Sequence, residues 1–206
     1  MGYHLAGFDV TGVDIEPQKH YPFRFVQANA LEYLAEHWPE YDVFHASPPC
    51  QVHSVLAHLS KGTHLDLIPD TRSALQSSGR PYVIENVAGA PLINPLLLCG
   101  SMFGLKVQRH RLFETVPTIW FPPGPCVHHG LATGNVMRRR GIKRTPSLRD
   151  DGIEFVSVVG NNYLAAEGRM AMGIDWMTKK ELSQAIPPAY TKWIGDILLS
   201  YLATTP

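Results

Sequence analysis

The chain has 206 residues, 45% of them hydrophobic, and its 18 basic residues balance 18 acidic residues. This length fits one main core with an inserted lobe, and the zero net charge gives no overall signal for a nucleic-acid or acidic partner. The sequence has no secretory signal, no apolar run long enough to cross a membrane and only three dispersed cysteines, which excludes disulfide frameworks and membrane spans and predicts a cytoplasmic protein.

The first part of the chain alternates predicted strands and helices. A short buried strand over 7–15 ends before Pro17, a second strand covers 23–28, and leucines at helical spacing predict a helix over 30–38. This alternation predicts an α/β protein with a doubly wound, mostly parallel sheet, whose loops open on one edge. The later predicted elements are strands at 41–46 and 82–87, a helix at 69–76 and a helical C-terminal pattern from about 170 to 199.

Cys50 stands directly after two prolines at the carboxyl end of the third predicted strand. Prolines fix the backbone torsion and remove amide donors, so this thiol lies on a stiff loop at the edge where α/β sheets bind ligands. A lone cysteine in such a turn is more often simply buried. The motifs further along the chain decide between the two interpretations.

Three motifs together resemble the cytosine-5 DNA methyltransferase family in order and spacing. They are Pro48-Pro49-Cys50-Gln51, then Glu85-Asn86-Val87, then Gln108-Arg109-His110-Arg111-Leu112-Phe113. Each motif is weak alone, whereas the ordered set is specific. The resemblance implies a Rossmann-like, S-adenosylmethionine-dependent methyltransferase, compact as in phage enzymes, that acts on a cytosine flipped out of double-stranded DNA. A monomeric protein is a further expectation, and the biological role, restriction-modification or another, stays open.

The resemblance assigns catalytic roles by position. Cys50 corresponds to the nucleophile that adds to carbon 6 of cytosine. Because charge develops on the ring, a carboxylic acid at nitrogen 3 and a guanidinium at the carbonyl oxygen assist the attack, and Glu85 and Arg111 match those positions. Glu85 then needs partial burial that raises its pKa, although an isolated strand-end glutamate is more often solvated. Arg109 is expected to support the site or to reach a phosphate.

The same resemblance predicts a cofactor site for S-adenosylmethionine. Asp14 corresponds to the acid that binds the ribose hydroxyls, and Ile15 to a side chain against adenine. Asn29 stands where the family usually has an aspartate for the adenine amino group, and it can still accept that hydrogen bond. Pro48 and Gln184 complete the predicted set. Ordinary turn chemistry for Asp14 and helix capping for Gln184 remain open alternatives.

One departure concerns the beginning of the family pattern. The family starts with a central strand and a Gly-rich turn, whereas Met1 to Phe8 match the helix that follows it. We therefore expect an N-terminally truncated sheet and a true start upstream, because the other motifs are present. An inactive DNA-binding remnant and an RNA cytosine-5 methyltransferase are the alternatives.

A proline-rich, locally basic stretch follows the catalytic motifs. We expect a catalytic and cofactor-binding segment over 1–114, a small irregular target-recognition lobe over 115–156, and a C-terminal segment over 157–206 that packs back on the first. The lobe's basic cluster is expected to follow DNA phosphates, with a solvated loop as the alternative. Predicted DNA contacts are Gln51, His53, Arg138, Arg139, Arg140, Lys143 and Arg144.

A short histidine-rich stretch raises the question of zinc. Cys126, His128 and His129 stand close together, but structural zinc needs four ligands, usually in two close pairs. Cys99 is the only other thiol besides the predicted nucleophile. The sequence alone therefore predicts no metal.

Overall fold

The computed structural model describes residues 1–49, 65–134, 147–150, 152–160 and 163–205. Contacts divide the chain into two compact units. The first unit comprises Met1–Asp9, Leu98–Arg109 and Pro123–Pro206, and the second comprises Val10–Leu97 and His110–Pro122. The three segments expected from the sequence, 1–114, 115–156 and 157–206, are based on composition and motifs, whereas these units are based on contacts. The three segments therefore stay a prediction.

The second unit begins with a pair of parallel strands. β1 (Thr11–Asp14) pairs in register with β2 (Arg24–Gln27). Helix α2 (Ala30–His37) then begins after Asn29, whose side-chain oxygen accepts a hydrogen bond from the Leu31 amide at 3.0 Å. That bond satisfies one of the amides that a helix leaves free at its start. The predicted second strand and first long helix are confirmed, with ends shifted by a residue or two.

A second sheet in this unit has four strands. Its order is β3-β4-β6-β5, with β4 parallel to β3 and antiparallel to β6. All five residues of β4 are buried, and Leu75, Tyr82 and Ile84 form a core cluster against which Leu34 and Phe44 pack. The elements are β3 (Phe44–Ala46), helix α3 (Ile68–Ser77), β4 (Tyr82–Asn86), β5 (Leu96–Leu98) and β6 (Arg111–Val116).

A buried ion pair fastens α3 to β6. Arg72 donates from Nε and Nη2 to the two carboxylate oxygens of Glu114, at 2.8 and 2.7 Å. The Ile93 amide and the Tyr82 hydroxyl also donate to this carboxylate. Burial by itself raises the pKa of Glu114, but hydrogen bonds from Arg72 and the Ile93 amide hold it below its ordinary value. Glu114 is therefore a charged group with filled acceptors, and it stabilises the unit.

The first unit is mostly helical. Its core contains Val107, Val156, Tyr163, Met172 and Leu182, all almost completely buried. The helical pattern after Met170 is interrupted because Gly173 adopts the left-handed conformation (φ 67°), which ends one helix, and because Pro188 begins another. The elements are α1 (Gly2–Ala6), β7 (Leu131–Ala132), β8 (Ile153–Phe155), α4 (Ala165–Met172), α5 (Lys179–Gln184) and α6 (Pro188–Thr204).

The protein is a mixed α/β protein with small, mostly parallel sheets. The α/β class expected from the sequence is confirmed, but the described strands form sheets of two, four and two strands, and no doubly wound sheet is evident among them. The difference arises because β1 pairs only with β2 and β3 only with β4 among the described strands. The sequence predicts a buried first strand. For the same reason, β1 is only half-buried. Among the described helices, none combines the length and the apolar character needed to cross a bilayer.

Candidate active site

The carboxyl ends of β3 and β4 meet at one edge of the four-stranded sheet. Ala46 lies opposite Ile84, so two further residues along each strand bring Pro48 beside Asn86. The Asn86 side-chain amide donates to the Pro48 carbonyl at 3.0 Å, and its oxygen accepts from the Val87 amide at 2.9 Å. Asn86 is itself buried, so both bonds are protected from water. The proline loop is thereby fixed to the end of β4.

Glu85 and Arg111 form an ion pair at this edge. Arg111 Nε lies 2.9 Å from Glu85 Oε1, and Glu85 is only 7% exposed. The pairing follows from the register: Glu85 lies opposite Phe113, so Arg111, two residues earlier, is its diagonal neighbour on the same face. Glu85 is thus a buried residue rather than a solvated strand-end charge.

The geometry suits recognition of a planar polar edge. A carboxyl group and a guanidinium held side by side can contact two neighbouring polar atoms of one ring. In these hydrogen bonds the carboxyl group can donate or accept, and the guanidinium can only donate. Nitrogen 3 and the carbonyl oxygen of cytosine are such neighbours. Arg111 also donates from Nη1 to its own neighbour's carbonyl, His110 O, at 2.8 Å, which fixes the orientation of the guanidinium.

Several predicted residues lie outside the described part of the chain. Pro49 is the last described residue before Cys50, the predicted nucleophile. Cys50 and the predicted DNA-contacting residues all lie outside the described residues, so their roles stay predictions. The predicted DNA-contacting residues are Gln51, His53, Arg138, Arg139, Arg140, Lys143 and Arg144.

A cavity of about 520 Å³ lies in the second unit, beside the proline loop. Its size is within the range of cavities that hold small ligands. The cavity brings together four of the five residues predicted for cofactor binding: Asp14, Ile15, Asn29 and Pro48. The fifth, Gln184, is the exposed last residue of α5 in the first unit, and its role stays a prediction.

The polar groups of this cavity already have partners. Asp14 accepts from the Glu16 amide at 2.9 Å and from the Gln18 side chain at 3.2 Å, as ordinary turn chemistry predicts. Asn29 Oδ1 caps α2, so a ligand amino group has to use its second lone pair. Ile15 is 65% exposed, which leaves its side chain available for contact with a flat ligand.

His45 lines the same cavity, and the sequence analysis does not identify it. Burial lowers its pKa to about 4, so the imidazole is neutral near pH 7. One ring nitrogen lies 3.2 Å from Ser47 Oγ. A histidine in the middle of an apolar strand, three residues before a Pro-Pro turn, is the only sequence signal for it. Asn86 is also missed as a site residue, although it belongs to a recognised motif.

Arg109 has a structural environment in the first unit. Its guanidinium donates to the carbonyls of Val158 at 2.8 Å and Ser183 at 2.6 Å, while its own carbonyl accepts from the Tyr190 hydroxyl at 2.7 Å. Arg109 is 5% exposed. These bonds give Arg109 a part in the packing of the first unit, and its expected part in the site stays a prediction.

Comparison with known proteins adds no family assignment, since neither a protein-family model nor a curated protein matches this chain.

Proposed function

We propose that this chain carries the base-binding side, and part of the cofactor side, of a DNA cytosine-5 methyltransferase. The observation that carries the proposal is the Glu85–Arg111 pair, on one face of the sheet and with Glu85 buried, at the edge where Pro48 and Pro49 precede Cys50 in the sequence. The two members come from separate motifs of the family pattern. Their closeness suits the chemistry, since both have to reach adjacent atoms of one base.

The proposed mechanism gives each residue one task. The Cys50 thiolate adds to carbon 6 of a flipped cytosine, while Glu85 hydrogen-bonds nitrogen 3 and Arg111 stabilises charge on the carbonyl oxygen. S-adenosylmethionine, when bound, supplies the methyl group that carbon 5 accepts. A water molecule then takes the proton from carbon 5, and the electrons of that bond re-form the ring double bond and expel the Cys50 thiolate from carbon 6. Asn86 keeps the Pro48 carbonyl, and with it the loop, in place throughout.

The cavity beside the loop supports a cofactor site in this position. It is lined by Asp14 and Ile15 after β1, by Asn29 at the start of α2 and by Pro48. Both β1 and β3 also line it, and each pairs with one neighbour among the described strands. A Rossmann-like methyltransferase sheet with its central strand supplied from another segment accounts for both facts.

A covalent trap tests the mechanism. DNA carrying 5-fluorocytosine should form a stable adduct, because fluorine at carbon 5 blocks the elimination that frees the thiol. Cys50→Ser should abolish the adduct and methyl transfer while retaining DNA binding, measured by gel shift and by transfer of labelled methyl groups. Turnover on ordinary DNA without an adduct on the fluorinated substrate, or near-normal transfer by Cys50→Ser, would rule out this chemistry.

The alternatives are separated by the substrate and by the cofactor. Titration calorimetry with S-adenosylmethionine compares this 206-residue chain with one extended by the upstream coding sequence. Binding by either supports an enzyme, and DNA binding without cofactor binding by both indicates an inactive remnant. Methyl transfer to transfer RNA instead of duplex DNA would assign the RNA alternative.

A further inference from the structure

Two thiols and an imidazole converge in the first unit, apart from every residue used in the proposed mechanism. The ligand atoms of Cys99, Cys126 and His128 all lie within 4.8 Å of one another. His128 Nε2 is 3.2 Å from the sulfur of Cys99 and also 3.2 Å from the sulfur of Cys126. Neither cysteine is in a disulfide.

The equal distances favour a shared centre over a hydrogen bond. A neutral imidazole nitrogen carries either one proton or one lone pair, so it forms one well-directed bond, yet here it faces two sulfurs at the same distance. Zinc–sulfur bonds of about 2.3 Å and zinc–nitrogen bonds of about 2.0 Å at tetrahedral angles put sulfur and nitrogen roughly 3.5 Å apart. The observed separation is close to that value.

The surroundings also resemble a built site. Cys99 is fully buried and directly precedes the short helical turn Gly100–Phe103, while Cys126 and His128 come from one exposed segment. The Ser101 hydroxyl lies 3.4 Å from the Cys99 sulfur and 3.8 Å from that of Cys126, within donating distance of both. Such outer hydrogen bonds orient ligands and neutralise part of the thiolate charge.

We propose that Cys99, Cys126 and His128 bind one thiophilic divalent metal ion, Zn²⁺ in the first place, as a structural site. Thiolate ligands with an imidazole select Zn²⁺ over harder ions such as Mg²⁺ or Ca²⁺. The site joins the segment that begins at Leu98 to the segment that begins at Pro123, both in the first unit. The sequence predicts no metal because Cys99 is distant from Cys126 and His128 along the chain, whereas the fold brings its sulfur beside them.

A fourth ligand completes a closed tetrahedral site. Along the chain, His129 follows His128, and water is the other candidate. Each case has its own signature: His129→Ala weakens binding if that side chain is the ligand, and it leaves binding unchanged if water completes the shell.

Metal analysis of the full chain tests the proposal. The protein, purified without chelators, should hold one equivalent of zinc, and removal of the metal should lower its melting temperature. After replacement by Co²⁺, the absorption spectrum should show thiolate charge-transfer bands typical of two sulfur ligands, falling to one in Cys126→Ser. Loss of an outer-shell partner weakens metal binding about 10- to 100-fold. His128→Gln removes a direct ligand, so it should weaken Zn²⁺ binding at least as much. His4→Gln, at another exposed histidine of the same unit, is the control and should leave binding unchanged.

Two results would overturn the proposal. One is a wild-type protein with far less than one equivalent of zinc after incubation with the metal, and with both thiols reactive toward a thiol reagent. The other is a disulfide between Cys99 and Cys126 in place of a metal site. Mass spectrometry under non-reducing conditions would then show a protein lighter by two hydrogen atoms and a peptide in which the two cysteines are joined.

Discussion

Two arginine–glutamate pairs share strand β6, and they are built for different purposes. Glu114 accepts from Arg72 twice, from the Ile93 amide and from the Tyr82 hydroxyl. Arg111 contacts Glu85 through Nε at the end of the strand, next to the loop that leads to Cys50. The register puts them on opposite faces of the sheet, since Glu114 lies opposite Ile84 and Arg111 is on the face of Glu85. A pair with saturated acceptors stabilises a fold, whereas we propose that the pair at the strand end meets a ligand.

The largest effect is expected at the strand-end pair. Glu85→Gln keeps the size of the side chain but removes the acidic proton, so methyl transfer should fall about 100- to 10,000-fold. The measurement is single-turnover transfer of labelled methyl groups to duplex DNA. Glu36→Gln, at an exposed glutamate of α2, is the matched control and should leave the rate unchanged. A rate within threefold of wild type would remove Glu85 from the mechanism.

Substitution of Glu114, on the opposite face of the sheet, should lower the stability of the protein. Glu114→Gln leaves the Arg72 guanidinium without its charged partner in a mostly buried position, with a cost of about 3–5 kcal/mol in the free energy of unfolding. Urea titration followed by circular dichroism measures this loss. Glu36→Gln should again change little, by about 0.5 kcal/mol or less. If Glu85→Gln proved as destabilising as Glu114→Gln, the distinction between the two pairs would fail.

A smaller effect is expected at the residue beside Glu85. Asn86→Ala removes the hydrogen bond to the Pro48 carbonyl and should cost about 1–3 kcal/mol of stability, because a buried acceptor loses its donor. Methyl transfer should fall as well, through kcat rather than KM, since the loop carrying Cys50 loses its anchor. An unchanged unfolding free energy in this variant would show that water replaces the amide.

The smallest effect is a difference in pH dependence. The folded-state pKa of Glu114 lies below its ordinary value of 4.5, so its pairing contributes full stability above that pH and loses it as the pH falls through the folded pKa. The stability difference between wild type and Glu114→Gln should therefore narrow below pH 4.5. Urea midpoints at stepped pH values measure it, and a constant difference across the acid range would contradict the assignment.

Local patterns predicted local structure well. The strand at Tyr82–Asn86 and the helix at Ile68–Ser77 occur within a residue of their predicted positions, because alternating apolar runs and flanking breakers act over a few residues. The antiparallel course of β6 was not predicted, since the alternation of strands and helices favours parallel pairing. Strand direction depends on long connections, which leave no local periodic signal.

The candidate site was predicted through the ordered motifs rather than through periodicity. The motifs named Glu85 and Arg111 as partners, but their contact depends on the β4–β6 register, which spacing along the chain does not determine. The cysteine–histidine cluster shows the same limit, because Cys99 stands far from Cys126 in the sequence and has no paired spacing. Such clusters are determined by tertiary packing, and only a structure reveals them.

The hydrogen bonds of Arg109 have a consequence for cooperativity in the first unit. One side chain holds the carbonyls of Val158 and Ser183, and its backbone receives the Tyr190 hydroxyl. Detachment of the Val158 or the Ser183 segment leaves part of the buried guanidinium without an acceptor, and detachment of the Tyr190 segment leaves the Arg109 carbonyl without its donor. We therefore expect local opening of any one of these segments to be coupled to the others.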